Sequence, residues 1–139
     1  MNYNLLIIST PGNKIKENFA ALLKKCKEDA SITIAREENL DDLDISEVLK
    51  HFYEGFDGIF IITQDKKIEG IIKSEYSKFQ KVVNEANRVL LKRGLTKERV
   101  KIFNWDGKSY EKLNNFIASS FKNLIKFGPS PVKVEKLMV

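Results

Sequence analysis

The 139-residue chain is 42% hydrophobic and carries 24 Lys and Arg against 19 Asp and Glu, a formal net charge of +5. That size and apolar content suit one domain with a single core and exclude a disordered chain; the longest apolar runs, Leu5–Ile8 and Ile59–Ile62, fall far short of the roughly 20 residues of a membrane-spanning helix. A single cysteine, Cys26, and a single histidine, His51, exclude a disulfide framework and an ordinary zinc or iron–sulfur site within one chain.

No basic start followed by an apolar stretch opens the sequence, so the chain reads as soluble and cytoplasmic, with no membrane partner. Its lysines are spread along every helical segment with acids between them. Aromatic residues are not interleaved with a basic stripe, which argues against nucleic acid as a partner.

Taken in chain order, Asn4–Ser9 is an apolar strand, followed by the loop Ser9-Thr10-Pro11-Gly12-Asn13-Lys14. Residues 14–27 place Ile15, Phe19, Leu22, Leu23 and Cys26 at helical spacing, so this is a helix and Cys26 is a core residue. Residues 31–37, with Ile32 and Ile34 alternating against polar neighbours, give a second strand. The carboxylates Glu37, Glu38, Asp41, Asp42 and Asp44 read as a solvated loop and a helix start rather than a metal cluster. Asp44 or Ser46 is the expected N-cap of a short helix carrying Val48, Leu49 and Phe52.

Residues 56–64 form the most hydrophobic strand, apolar almost throughout and therefore central and covered on both faces. A loop, Thr63 to Gly70, leads into a long helix from about Ile71 to Arg93. The expected inner side of that helix is Ile72, Tyr76, Phe79, Val82, Val83, Ala86, Leu90 and Leu91, with Gly94 as the stop. Residues 98–105 hold the fourth strand and residues 110–128 the last helix, closed by Gly128 and Pro129. Residues 1–128 thus form one α/β domain, and the partly apolar tail 129–139 is a docking segment without a partner in the pattern.

Short β-rich runs alternating with longer periodic segments predict βαβ units. The expected architecture is a flavodoxin-like three-layer sandwich: a four-stranded, mainly parallel sheet in the order 2-1-3-4 with helices on both faces. In such sheets ligands sit beyond the carboxyl ends of the strands, where the chain diverges to either side. The loops expected there supply Ser9, Thr10, Gly12, Asn13 and Lys14 after the first strand and Thr63, Gln64 and Asp65 after the third. Backbone N–H groups at a helix start, two hydroxyls and Lys14 suit an anion or phosphate. A plainer reading stands beside it: Pro11 and Gly12 make the turn and Asn13 caps the helix.

The first loop is not a Walker A loop, since the paired glycines and Lys-Ser or Lys-Thr are absent. It resembles the phosphate loop of flavodoxins, which implies FMN as an alternative ligand. Pro11 removes one donor, however, and Lys14 stands where a hydroxyl is usual. Trp105 and Tyr110 serve either as a flavin platform or as packing at the edge of the core. No Ser/His/Asp or Cys/His constellation is present, His51 falls away from the crevice, and Asp65 is the only carboxylate placed near it, so no catalytic residue is assigned.

A second resemblance spans about His51 to Val132. Gly55-Phe56-Asp57-Gly58-Ile59, Leu90 to Gly94-Leu95, Glu98-Arg99, Trp105 and Gly128-Pro129 stand in the order and spacing of the delta subunit of methyl-viologen-reducing hydrogenases, the small iron–sulfur subunit that feeds heterodisulfide reductase. The resemblance implies that family's fold and protein partners from an iron–sulfur and flavin redox complex, in a setting of sulfur metabolism. It also implies a [2Fe–2S] cluster held by cysteines after the first and third strands. This chain has none there, and the counterpart of the middle cysteine region is the acidic stretch 36–42. Hard oxygen donors do not replace four thiolates. The expectation is therefore a cluster-free, non-catalytic accessory subunit without a cofactor or metal of its own.

Overall fold

The computed structural model describes residues 3–9, 30–36, 43–64, 66–68, 71–73, 75–94, 99–128 and 130, with the backbone alone at 30–36, 66–68, 71–73 and Glu75. The elements are β1 (Tyr3–Ser9), β2 (Ala30–Arg36), α1 (Ile45–Tyr53), β3 (Gly58–Thr63), β4 (Lys66–Ile68), β5 (Ile71–Lys73), α2 (Glu75–Lys92), β6 (Val100–Asn104) and α3 (Tyr110–Phe127). The segment 14–27, with Cys26, lies outside the described residues, as do the acids at 37–42 and the tail beyond Ser130.

This is an α/β structure built on a parallel sheet. β3 lies between β1 and β6, with Ile7 opposite Phe60 and Ile61 opposite Ile102. β2 runs parallel to the other side of β1, so the sheet reads β2-β1-β3-β6. β1 and β3 are buried along nearly their whole length because each has one apolar layer above it and one below. Leu6, Ile8, Ile59 and Ile61 face Val48 and Phe52 of α1 and Phe79, Val83, Ala86 and Leu90 of α2. Leu5, Ile7, Phe60 and Ile62 point the other way, onto Leu113, Ile117, Phe121 and Leu124 of α3. Strand alternation thus assigns successive residues to opposite cores.

Helix boundaries follow local chemistry. The Asp44 side chain accepts the Glu47 backbone N–H at 2.9 Å and is the N-cap of α1, so that of the two expected caps Asp44 serves. α2 ends in Arg93 and Gly94, where a positive φ of +85° is open to glycine at little cost. α3 ends at Gly128, φ +78°.

Two expectations about the middle of the chain need correction. The long helix does not begin at Ile71: residues 71–73 form β5, paired antiparallel with β4, and α2 starts at Glu75. The sequence offered both patterns, because Ile68, Ile71 and Ile72 favour strand and Glu69-Gly70 between them has the composition of a two-residue hairpin connection. The stretch after β3 is therefore a hairpin and not a plain loop. Leu91 is likewise not an inner residue of α2 but 50% exposed. Leu90 takes the core position, and a 3.6-residue period turns its neighbour about 100° away.

Candidate functional site

The carboxyl edge of the sheet is where the sequence placed a ligand. Parallel register sets Ser9, the last residue of β1, opposite Ile62, and Thr63, the last of β3, opposite Asn104. Ser9 and Thr63 are both buried. The Thr63 hydroxyl donates to Asn104 Oδ1 at 3.1 Å, and the Thr63 carbonyl accepts the Trp105 backbone N–H at 2.8 Å. Thr63 thus ties β3 to the chain leaving β6 rather than presenting its hydroxyl to the crevice. Gln64 is half-buried, and its side chain lies across Gly107, where an added Cβ would come within 2.2 Å of Nε2. Thr10, Gly12, Asn13, Lys14 and Asp65 lie outside the described residues, so Ser9, Thr63 and Gln64 are the members of the expected site that the structure locates.

The segment 104–109 also belongs to this edge, and sequence reasoning passed over most of it. The Asp106 carboxylate accepts the backbone N–H groups of Lys108 and Ser109, each at 2.8 Å. These two bonds, the Ser109 bond foremost, hold its pKa below the ordinary 3.8. Ser109 is the N-cap of α3, so this carboxylate lies just ahead of the start of that helix, where negative charge is favoured. The signal in the sequence was Asp106-Gly107 directly after a strand, a turn signature.

Trp105 is 3% exposed, donates its indole N–H to the Ser109 carbonyl at 2.9 Å and joins the α3 side of the core. Its ring centroid lies 5.0 Å from that of Tyr110 at 54°. The two rings touch each other and leave no slot between them for a third, which favours packing at the core edge over a flavin platform.

The donor set at this edge, among the described residues, is hydroxyl, amide and carboxylate oxygen. No group of three or more His, Cys, Asp or Glu side chains gathers there or elsewhere among the described residues. A [2Fe–2S] cluster, which requires four mostly thiolate ligands, does not fit a chain with one cysteine and one histidine. His51 sits on α1 with Nδ1 3.3 Å from Glu54 Oε2 and its ring edge-on to Phe56, a local surface arrangement.

The opposite, amino edge holds a buried polar network among the described residues. Asp57, 0% exposed and directly before β3, accepts the Asn4 backbone N–H on Oδ2 and the Ser130 backbone N–H on Oδ1, both at 2.8 Å. Arg99, 2% exposed, donates to the Asp57 carbonyl at 3.0 Å and to the Gly128 carbonyl at 2.9 Å. Burial lowers the Arg99 pKa, and the nearby Asp57 charge opposes that shift. Asp57, Arg99 and Gly128, which stood as separate letters of a pattern, form one buried junction that fastens the end of α3 to the start of β1 and β3. Their bonds are to the protein's own backbone.

Among the described residues no helix is long and apolar enough to cross a membrane. No curated protein matches the chain. A sequence-family model described as FlpD, methyl-viologen-reducing hydrogenase, delta subunit, matches residues 14–128, a span that takes in β2 to α3 and the junction residues Asp57, Arg99 and Gly128. With that match covering most of its length, the chain belongs to the family of methyl-viologen-reducing hydrogenase delta subunits.

Proposed function

We propose that this protein is a non-catalytic accessory subunit of a cytoplasmic hydrogenase-linked or heterodisulfide-reductase-like electron-transfer complex, a flavodoxin-like scaffold without the [2Fe–2S] centre. Sulfur metabolism is the setting this reading implies. One observation carries it: the chain belongs to a family named for a hydrogenase subunit, yet contains one cysteine in 139 residues. Iron–sulfur ligation needs about four such donors. The carboxyl edge supports the same reading, because the Thr63 hydroxyl and the Asp106 carboxylate there are engaged with the protein's own side chain and backbone groups.

Anaerobic purification of the recombinant protein tests it. The expected product is colourless, contains less than about 0.1 iron per chain and gives no paramagnetic signal on reduction. Mixed with the heterodisulfide reductase and hydrogenase subunits of its own organism, it co-elutes with at least one of them. A brown protein with stoichiometric iron and sulfide, or a yellow one with bound FMN, overturns the proposal.

A further inference from the structure

β6 ends the sheet: in the order β2-β1-β3-β6 it has one neighbour, β3, among the described residues. The Trp105 backbone N–H bonds the Thr63 carbonyl at the end of β3. In a parallel ladder every second residue turns its N–H and C=O toward a given neighbour, so Lys101 and Phe103 face β3 with Trp105, and Val100, Ile102 and Asn104 face the free side. An independent bond agrees: the Val100 carbonyl accepts from Asn87 Nδ2 of α2 at 3.2 Å, a donor outside the sheet.

Edge strands are usually blunted by proline, a bulge or several charges. β6, Val-Lys-Ile-Phe-Asn, has one charge and no proline, and its register with β3 runs unbroken from Val100 to Asn104, so no bulge bends it away. Two of its side chains are apolar and half-buried, one on each face of the sheet. Ile102 packs against the core under α1 and α2; Phe103 packs against the α3 core, where it stacks on the half-buried Phe116 at 4.8 Å. Both apolar layers therefore reach this rim, and a strand with apolar residues on each face would continue both.

The chain's own continuation is poorly placed to be that strand. α2, which connects β3 to β6, lies on one face of the sheet, and α3 returns on the other. Right-handed connections, found in about 98% of cases, move in opposite directions across a sheet when their helices lie on opposite faces. After α3 the chain is therefore directed back toward β3 and β1, and Ser130 is bonded to Asp57, directly before β3.

We infer that β6 pairs antiparallel with β6 of a second copy about a two-fold axis at Ile102, joining two sheets into one. Pairing must match outward-facing residues, and full overlap of two five-residue strands leaves one register: Ile102 opposite Ile102, Val100 opposite Asn104, and Lys101 opposite Phe103. A shift of two residues sets Lys101 against Lys101, which like charge disfavours. Full overlap instead gives each Lys101 an aromatic ring across the strands, and the two Phe103 side chains meet on the diagonal. The contact is isologous, so it closes at two chains and covers both β6 edges.

Sedimentation of the full chain from about 5 to about 500 µM tests this. A species of twice the 16.0 kDa chain mass is expected to grow with concentration. Ile102→Pro deletes an N–H that faces the second copy and none that faces β3, so it is expected to keep the fold by circular dichroism and to weaken association about tenfold or more. Cysteine cross-linking reads the register whatever the proline does to folding. In a Cys26→Ala background with an added oxidant, Ile102→Cys is expected to give a disulfide-linked dimer, because directly opposed Cα atoms lie about 5.5 Å apart, within disulfide reach. Asn104→Cys, although more exposed, is expected not to, since its counterpart is displaced by four residues, about 13 Å, along the strand. A monomer throughout the range, an undiminished dimer in folded Ile102→Pro, or cross-linking of Asn104→Cys as fast as that of Ile102→Cys overturns the inference. An equal loss of dimer in Val134→Pro also overturns it, by assigning the edge to the segment beyond Ser130. No other subunit enters the experiment, so its failure leaves the proposed function to its own test.

Discussion

Replacing Asp57 by Asn tests whether the amino-edge junction holds the domain together. The substitution keeps the size of the side chain but removes its charge and turns one acceptor into a donor. Of the two backbone N–H groups now accepted at 2.8 Å, from Asn4 and Ser130, one loses its acceptor, and Arg99 loses the buried charge beside it. A hydrogen bond to a charged group contributes about 1.5–3 kcal/mol. Breaking one side of a buried charge pair costs about 3–5 kcal/mol. These terms overlap, so the expected loss is about 4 kcal/mol, a large share of the ~5–15 kcal/mol by which a domain is stable. With a urea slope of about 2 kcal/mol/M, the unfolding midpoint falls by about 2 M. Asp44→Ala, which removes an exposed helix cap, provides the scale at about 1 kcal/mol. Adding Arg99→Met removes the second charge, so the double variant is expected to be more stable than the sum of the single losses by about 1–3 kcal/mol. A midpoint shift for Asp57→Asn no larger than that for Asp44→Ala, or strict additivity with Arg99→Met, refutes the reasoning.

Two further outcomes follow from the packing and the charges. Gly58→Ala places a Cβ 2.9 Å from Leu124 Cδ2 and 3.1 Å from Leu5 Cδ2, so it is expected to destabilise by about 1–3 kcal/mol in thermal unfolding; an unchanged Tm would show that Leu124 yields freely. The Asp106 carboxyl has a folded pKa below its ordinary value, so its contribution is present at neutral pH and disappears as pH falls through that lowered pKa. In a pH titration by NMR, Asp106 and the amides of Lys108 and Ser109 should share one midpoint below 3.8, and a midpoint at or above 3.8 contradicts the two-bond arrangement.

How far the sequence disclosed this structure depended on the range of the interactions involved. Apolar runs at Leu5–Ile8 and Ile59–Ile62 identified strands with a core on each side, because burial on both faces leaves no polar alternation. The Asp44 cap and the Gly94 and Gly128 stops were legible for the same reason: each acts within one helical turn. At residues 68–73 two local patterns competed, and isoleucines that fit a helix face fitted a hairpin as well. The junction was hidden, since its bonds join residues 42 and 73 positions apart and its members were visible only as motif letters. At the carboxyl edge, Thr63 was rightly placed at the end of its strand. That its hydroxyl is engaged by Asn104 emerged only from the pairing of β3 with β6.

The two oxygens of Asp57 hold the backbone N–H groups of Asn4 and Ser130 on one carboxylate. Asn4 of β1 and Ser130 beyond α3 therefore meet at one side chain on the rim away from the ends of β1 and β3. A lesion at that one carboxylate therefore loosens the first strand and the residue beyond the last helix together, while the far rim keeps its own bonds.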